Sequence, residues 1–294
     1  MKVLVTGTAG RVGSATARDF LDHGYTVRGL DRNPPASDLR GRIEVVYADL
    51  ADRMAVLRAA DGCDAIAHLA AIPSPGHSDD VLFQTNVTGT QYILAAAEAT
   101  GIKRVALAST CCAFGIFFAH HRIDPQYLPM NEDHPNLPQD LYGLSKLLNE
   151  ETARAYARRC GMTTTCLRLT TVFDLEHAAN RHPDWLRRRL AHNEDRQNDL
   201  WSYIDLRDAA RAFRLAIENA GEGSSETVII AARDSFSARD IRDLVRKHFP
   251  TLVGGVEHLA PNACLYDTTR AETAFGFVAE RFWRDFPQLV EPAA

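Results

Sequence analysis

The chain has 294 residues, 46% hydrophobic and 24% charged, enough length and apolar content to bury a large core, which excludes disorder, collagen and coiled coil as its overall class. A formal net charge of −5 gives no electrostatic footprint for a polyanion and sets nucleic acid aside as a partner. The apolar stretch 105–119 is too short and too polar to span a bilayer, the N-terminus carries no signal-peptide pattern, and six scattered cysteines lack disulfide density. The expectation is a cytoplasmic protein with reduced thiols and no membrane association.

The elements follow a single rhythm from the N-terminus. Residues 2–6 are a β-branched run, Gly7 to Gly13 form a glycine-rich turn, and 14–23 have helical periodicity that stops at Gly24. A second strand, 25–30, ends on Asp31 and completes a βαβ unit of the size expected for a parallel crossover. Strands at 43–47, 65–69, 105–108 and 163–169 alternate with helices at 53–60, 79–100 and 139–160, and 227–231 reads as a seventh strand. This alternation predicts an α/β fold, a doubly wound parallel sheet covered on both faces. Residues 173–200 and the tail from 235 are rich in Pro, His, Asn and Arg and lose the rhythm. They predict a small, discontinuous lobe over the carboxyl ends of the strands, where open α/β sheets bind ligands. The division expected is 1–172 as the dinucleotide-binding domain, with 201–232 returning to it, and 173–200 with 233–294 as the lobe.

Two local patterns carry chemistry. Gly7, Gly10 and Gly13 form a GxxGxxG loop between strand and helix, where Arg11 and Val12 also lie, and such a loop lets backbone N–H groups approach a pyrophosphate at the helix N-terminus. Asp31, at the end of the second strand, is placed to bind both ribose hydroxyls and to repel a 2′-phosphate, so NAD is the expected cofactor. Arg32 and Arg11 keep NADP as the alternative, because a guanidinium can meet that phosphate. Tyr142 and Lys146 form YxxxK on a predicted helix, one turn apart on one face. The ammonium would favour phenolate over phenol and make the tyrosine a usable base.

With these patterns in order, the sequence resembles the extended short-chain dehydrogenase/reductase family, the NAD-dependent epimerase/dehydratase group, well over the first 170 residues and thinly beyond. The matching pieces are Thr6 to Gly13, Asp49-Leu50, His68-Leu69-Ala70-Ala71, Asn86-Val87-Thr88-Gly89-Thr90, Ser109-Thr110 to Gly115, Tyr142 to Lys146, and Leu167-Arg168-Leu169. The resemblance implies a Rossmann sheet in which Asp49 and Leu50 contact adenine, Leu69, Ala70 and Ala71 flank the phosphates and ribose, and Asn86 belongs to the cofactor site. It implies that Thr110 is the catalytic Ser/Thr, Tyr142 the acid/base, and Lys146 the residue that holds the nicotinamide ribose. Ser74, Cys111, Cys112 and Thr171 are candidate substrate contacts. It also implies a homodimer through the two long helices.

The departures narrow the chemistry. Family members that dehydrate nucleotide sugars follow the catalytic Thr with Asp-Glu, whereas Thr110 is followed by Cys111-Cys112, which removes the acid and base of elimination. The stretch 173–200 is short, which suits a small substrate better than a sugar nucleotide. The leading expectation is an NAD-dependent oxidoreductase moving a hydride between nicotinamide and a secondary alcohol or carbonyl carbon of a small polar, sugar-like or sugar-acid substrate. An NAD-retaining sugar epimerase, in which the cofactor is transiently reduced, is the alternative, and a non-catalytic dinucleotide-sensing regulator a third reading. In one epimerase branch of the resembled family a cysteine stands two residues after the catalytic Ser, where Cys112 lies, but Cys112 reads first as a small apolar filler. Arg181, Arg187, Arg188, Arg189 and Arg196 read as a solvated face with at most one reaching a ligand. His120 and His121 diverge as neighbours and lack a completing ligand set, so no metal is expected. Phe114, Ile116, Phe117 and Phe118 read as a pocket wall or inter-lobe packing.

Overall fold

The computed structural model describes residues 1–290. Seven parallel strands form one sheet in the order β3-β2-β1-β4-β5-β6-β9. They are β1 (Lys2–Thr6), β2 (Thr26–Asp31), β3 (Glu44–Tyr47), β4 (Ala65–His68), β5 (Arg104–Thr110), β6 (Thr163–Leu169) and β9 (Ser225–Ile230). A separate pair, β7 (Val172–Phe173) and β8 (Ile204–Asp205), is also parallel. Strand order reverses between β1 and β4, and the crevice that this leaves at their carboxyl ends is where such sheets take ligands.

Alternation along each strand divides the core. Val3 and Val5 of β1 face α1 (Arg11–Asp22) and α8 (Leu206–Asn219), whose Ala17, Phe20, Ala209 and Phe213 are fully buried with them. Leu4, between those valines, faces the opposite layer, α2 (Arg53–Ala60), α4 (Gly89–Thr100) and α5 (Leu141–Cys160), through Val56, Ile93, Leu94 and Ala153. Burial on both faces explains why these strands read as apolar runs.

The helix expected at 79–100 is a composite. It begins as α3 (Asp79–Phe83), passes through a π turn at Gln84–Thr88 and continues as α4. The π turn carries Asn86 inward, and π turns mark functional positions in helices. α5 starts two residues later than 139, because the Asp140 carboxylate accepts the Gly143 N–H and caps it.

The stretch after β6 is helical where no rhythm was evident: α6 (Leu175–Arg181) and α7 (Pro183–Ala191) are short and precede a 3-10 turn at Glu194–Asp199. Leu175, Leu186 and Leu190 bury against Tyr203, Phe236 and Trp283. Another buried cluster joins Phe114, Ile116, Leu128 and Met130 to Trp201, α9 (Ile241–His248) and Leu265, so the loop after β5 packs with the tail of the chain. The last four residues, 291–294, lie outside those described.

Candidate active site

Two adjoining hollows run across the carboxyl ends of the strands. The first, about 300 Å³, is lined by Gly7, Gly10, Asp31, Arg32, Asp49, Leu50, Leu69, Ala70 and Ala71 among others. The second, about 580 Å³, shares Gly7, Gly10, Leu69 and Ala71 and extends past Arg11, Val12 and Gly13 to Thr110, Tyr142 and Lys146. Backbone makes the shared wall. A Cβ on Gly13 would stand 2.0 Å from the Gly7 carbonyl oxygen, and one on Gly7, at φ +78°, would meet the Ala70 nitrogen at 2.9 Å. α1 begins at Gly10 with no side-chain cap, so its first N–H groups are free to meet an anion. Asp31 closes the far end, its carboxylate accepting from the Ala9 and Asn33 N–H groups at 2.9 Å each. Arg32 reaches across to Asp49 at 3.2 Å. A backbone cradle at an uncapped helix start, with a carboxylate one strand over, fits a dinucleotide and its pyrophosphate.

A hydrogen-bond relay that sequence reasoning missed fixes this wall. The Thr6 hydroxyl accepts from the Leu69 and Ala70 N–H groups at 3.0 and 2.9 Å, so its own proton goes to His68 Nδ1 at 2.8 Å. His68 Nε2 therefore carries the ring proton and donates to Thr90 Oγ1 at 3.1 Å, whose hydroxyl donates to the Asn86 carbonyl at 2.6 Å. Burial, with the Lys146 ammonium adding to it, pulls His68 down to about 3, so the ring is neutral. The Asn86 side chain clamps Ile72, accepting from its N–H at 2.8 Å and donating to its carbonyl at 3.0 Å and to Ser145 Oγ at 3.1 Å.

At the other end, Thr110 stands at the last position of β5, and Tyr142 and Lys146 are buried on one face of α5. Lys146 Nζ donates to the Ala108 carbonyl at 2.9 Å. Burial pulls its ammonium down to about 8. The phenol departs from the expectation set by its lysine neighbour: burial pushes Tyr142 above its ordinary value, the Cys112 thiol adds to this and the Thr110 hydroxyl acts against it. Desolvation at 8% exposure is the largest cause, and the ammonium one turn away is engaged with the Ala108 carbonyl. Behind these residues lies a buried trio. Ser109 donates to Glu150 at 2.6 Å and Arg168 forks onto the same carboxylate at 2.9 and 2.7 Å, fixing the end of β5 to α5 and β6. Glu150 falls two helical turns after Tyr142, a spacing that could have signalled it.

The remaining wall is made by Phe117, Phe118, Thr170, Thr171, Asn198, Asp199, Ser202 and Tyr266. Leu200 and Trp201, between Asp199 and Ser202, adopt left-handed φ of 54° and 49°, strain of about 1–3 kcal/mol each that the surrounding packing must hold. Of the five arginines in this stretch, Arg196 is the buried one, paired with Asp199.

The expected residues divide as follows. Every glycine-loop, Asp31, Arg32, Asp49, Leu50 and Leu69–Ala71 position lines one hollow or the other, and Thr110, Tyr142, Lys146, Cys111, Cys112 and Thr171 line the larger. Asn86 is buried one layer back, acting on Ile72, and Ser74 lies next to the lining residue Pro73. Asp199, Asn198, Ser202 and Tyr266 were not anticipated, since no contiguous motif marks them.

Comparison with known proteins agrees with this geometry. A family model described as the NAD dependent epimerase/dehydratase family matches residues 3–231. The chain is 37% identical over 163 residues to an NAD-dependent glucose-6-phosphate dehydrogenase of Haloferax volcanii, a match covering 52% of this chain and 62% of that protein. It is 31% identical over 172 residues to a uronate dehydrogenase of Pseudomonas putida, covering 58% and 61%. The chain thus spans about three fifths of the length of these curated relatives. A short-chain dehydrogenase/reductase superfamily protein from Agrobacterium tumefaciens with bound NAD superposes with a TM-score of 0.73 at 26% identity, over 99% of this chain and 96% of that one.

Proposed function

Because the chain belongs to the NAD dependent epimerase/dehydratase family, we propose that it is an NAD-dependent oxidoreductase acting on a secondary carbinol or carbonyl carbon of a small, polar, sugar-like substrate. The observation that carries this reading is that Thr110, Tyr142 and Lys146 line one hollow continuous with the glycine-loop cradle. NAD, when bound, accepts the hydride that the carbinol carbon gives up. The residues of the chain supply the rest. The Gly7–Gly13 loop and the start of α1 would hold the pyrophosphate, Asp31 the adenosine ribose, and Lys146 the nicotinamide ribose. The Thr110 hydroxyl donates to the substrate oxygen and orients it. Tyr142 Oη takes the hydroxyl proton in oxidation and returns it in reduction, and the apolar wall of Phe117 and Phe118 keeps water from the reacting carbon.

The epimerase alternative would keep NAD bound and return the hydride to the opposite face of the same carbon, with Thr110, Tyr142 and Lys146 in the same roles. Burial pushes the Cys112 thiol up to about 12, in the same direction as the Tyr142 phenol, so these shifts do not separate the two readings and the fate of NADH does. A dehydrogenase screen with added NAD, followed by NADH absorbance, tests the reading: product and NADH should form in equal amounts. Turnover without added NAD and without NADH release would favour the epimerase. The same reading takes the protein as a cytoplasmic homodimer built on the exposed faces of α3, α4 and α5. Light scattering at the single-chain mass of 32.5 kDa would remove the dimer.

A further inference from the structure

One stretch of the larger hollow's wall, from Thr170 to Val172 and from Asn198 to Ser202, is backed by a charged pair. Asp199 lines the hollow, and its carboxylate is anchored from behind. Oδ2 accepts from Arg196 Nε at 2.8 Å, from Arg196 Nη2, and from Thr171 Oγ1 at 3.4 Å, while Oδ1 accepts from the Trp201 N–H at 3.0 Å. The Arg196 guanidinium sits over the Phe173 and Phe236 rings, 5.6 and 5.0 Å from their centroids, and its Nη1 is buried without a partner. Both side chains are 7% exposed, and the left-handed Leu200 and Trp201 hold the turn that presents Asp199. The carboxylate is therefore in front and the cation behind it.

The other charged lining residues are already engaged: Arg11 donates to the Val172 carbonyl at 2.9 Å, one residue on from Thr171, and Lys146 donates to Ala108. Around Asp199 the polar lining is Thr170, Thr171, Asn198 and Ser202, groups that exchange hydrogen bonds with hydroxyls. We propose that the Asp199–Arg196 pair sets the substrate class of this site: an uncharged polyhydroxy compound, an aldose or related polyol, in preference to a sugar acid or sugar phosphate. Hydroxyls of such a substrate donate to Asp199 Oδ1, which has acceptor capacity left after Trp201. A substrate carboxylate or phosphate at the same place would meet a carboxylate at short range inside a poorly screened cavity, with the neutralising cation on the far side. The inference rests on the oxidoreductase reading only in assuming that substrate occupies this hollow.

Galactose, galacturonate and galactose 6-phosphate present one ring with three end groups, and arabinose presents the ring without the end group. Two readouts are taken on the full-length protein: kcat/KM with NAD, and equilibrium binding in the presence of NADH, read by its fluorescence. The expected result is that galactose or arabinose exceeds both anionic sugars by roughly tenfold or more in each readout. Asp199→Asn keeps the shape, removes the carboxylate charge and leaves Arg196 uncompensated. It should cut the discrimination against galacturonate roughly tenfold, chiefly through KM. Asp199→Ser, a smaller side chain, should do the same if the amide variant folds poorly. Preference for galacturonate or galactose 6-phosphate in the wild type, no binding of either neutral sugar, or unchanged discrimination in both variants would each overturn the proposal. The two readouts separate this failure from that of the oxidoreductase reading. NADH formed faster from an anionic sugar removes the substrate class alone. Preferential binding of a neutral sugar with no NADH formed supports the class and removes the dehydrogenase.

Discussion

At the glycine-loop end of the cleft the walls are backbone, and at the Asp199 end they are side chains. The first end is shaped by what is missing, the Cβ atoms of Gly7 and Gly13 and a cap on α1, and it is held by backbone N–H groups that the Thr6 hydroxyl and Asp31 organise. The second is shaped by what is present: an ion pair, a strained turn and aromatic rings contributed by four separate stretches of chain. Backbone walls recognise what every dinucleotide has in common. Side-chain walls can change with a single substitution, so this end carries substrate choice.

The sharpest way to break the comparison is at the point where the ends meet. Tyr142→Phe deletes one oxygen and leaves α5 packed, so kcat should fall by ~10²–10⁴ while NADH binding stays within about twofold. Retention of more than about a tenth of the wild-type rate would take the proton transfer away from Tyr142.

Acid should act first on the backbone-walled end. The folded-state value of His68 lies near 3 against an ordinary 6.5, so the unfolded chain binds the proton that the folded ring refuses. Stability from this group is complete above about pH 6.5 and is lost as pH falls toward about 3, on the order of 5 kcal/mol in total. Protonation at Nδ1 would also take away the acceptor for the Thr6 hydroxyl, which positions Leu69 and Ala70. Urea unfolding at a series of pH values should show this slope in the wild type and a shallower one in His68→Gln. Equal slopes would mean that the ring titrates normally.

The two ends also differed in how far sequence revealed them. Strand–helix alternation and the GxxGxxG loop lie in contiguous residues, and parallel-sheet geometry carries them to one place, so the doubly wound parallel sheet and the lining from Gly7 to Ala71 could be read directly. Asp199 and Tyr266 come from different loops, and only the packing of Phe114–Met130 against the tail brings their surroundings together. No local period encodes that packing. His68 was legible as part of a motif but not as a relay, because its partners Thr6 and Thr90 lie 62 and 22 residues away. The phenol shift of Tyr142 was read with the wrong sign, since helical spacing reports a neighbouring cation and says nothing of burial.

Gly13→Ala probes the backbone wall by itself. Its added methyl would fall 2.0 Å from the Gly7 carbonyl oxygen, a backbone atom with no rotamer to escape into. The loop must shift, and NADH affinity should weaken roughly tenfold to a hundredfold, with discrimination between neutral and anionic sugars unchanged at saturating cofactor. Wild-type affinity in a folded variant would mean that the closeness of loop and helix is not what binds the cofactor.

The smallest effect is expected at Cys112, which belongs to the side-chain wall by position yet does no charge work. Its N–H donates to Thr110 Oγ1 at 3.1 Å, and this bond is retained by any residue other than proline. Its thiol, pushed up to about 12 by burial, is protonated throughout the working range, so removing it deletes a small apolar contact and no base. Cys112→Ala should therefore keep kcat within about threefold of wild type, and oxidation should still require added NAD and release NADH in step with product. Substrate recovered from the reaction in deuterated water should carry no deuterium on carbon in either protein. If instead wild type incorporates deuterium and Cys112→Ala does not, the thiol is an acid/base despite its burial, and the dehydrogenase reading gives way to the epimerase.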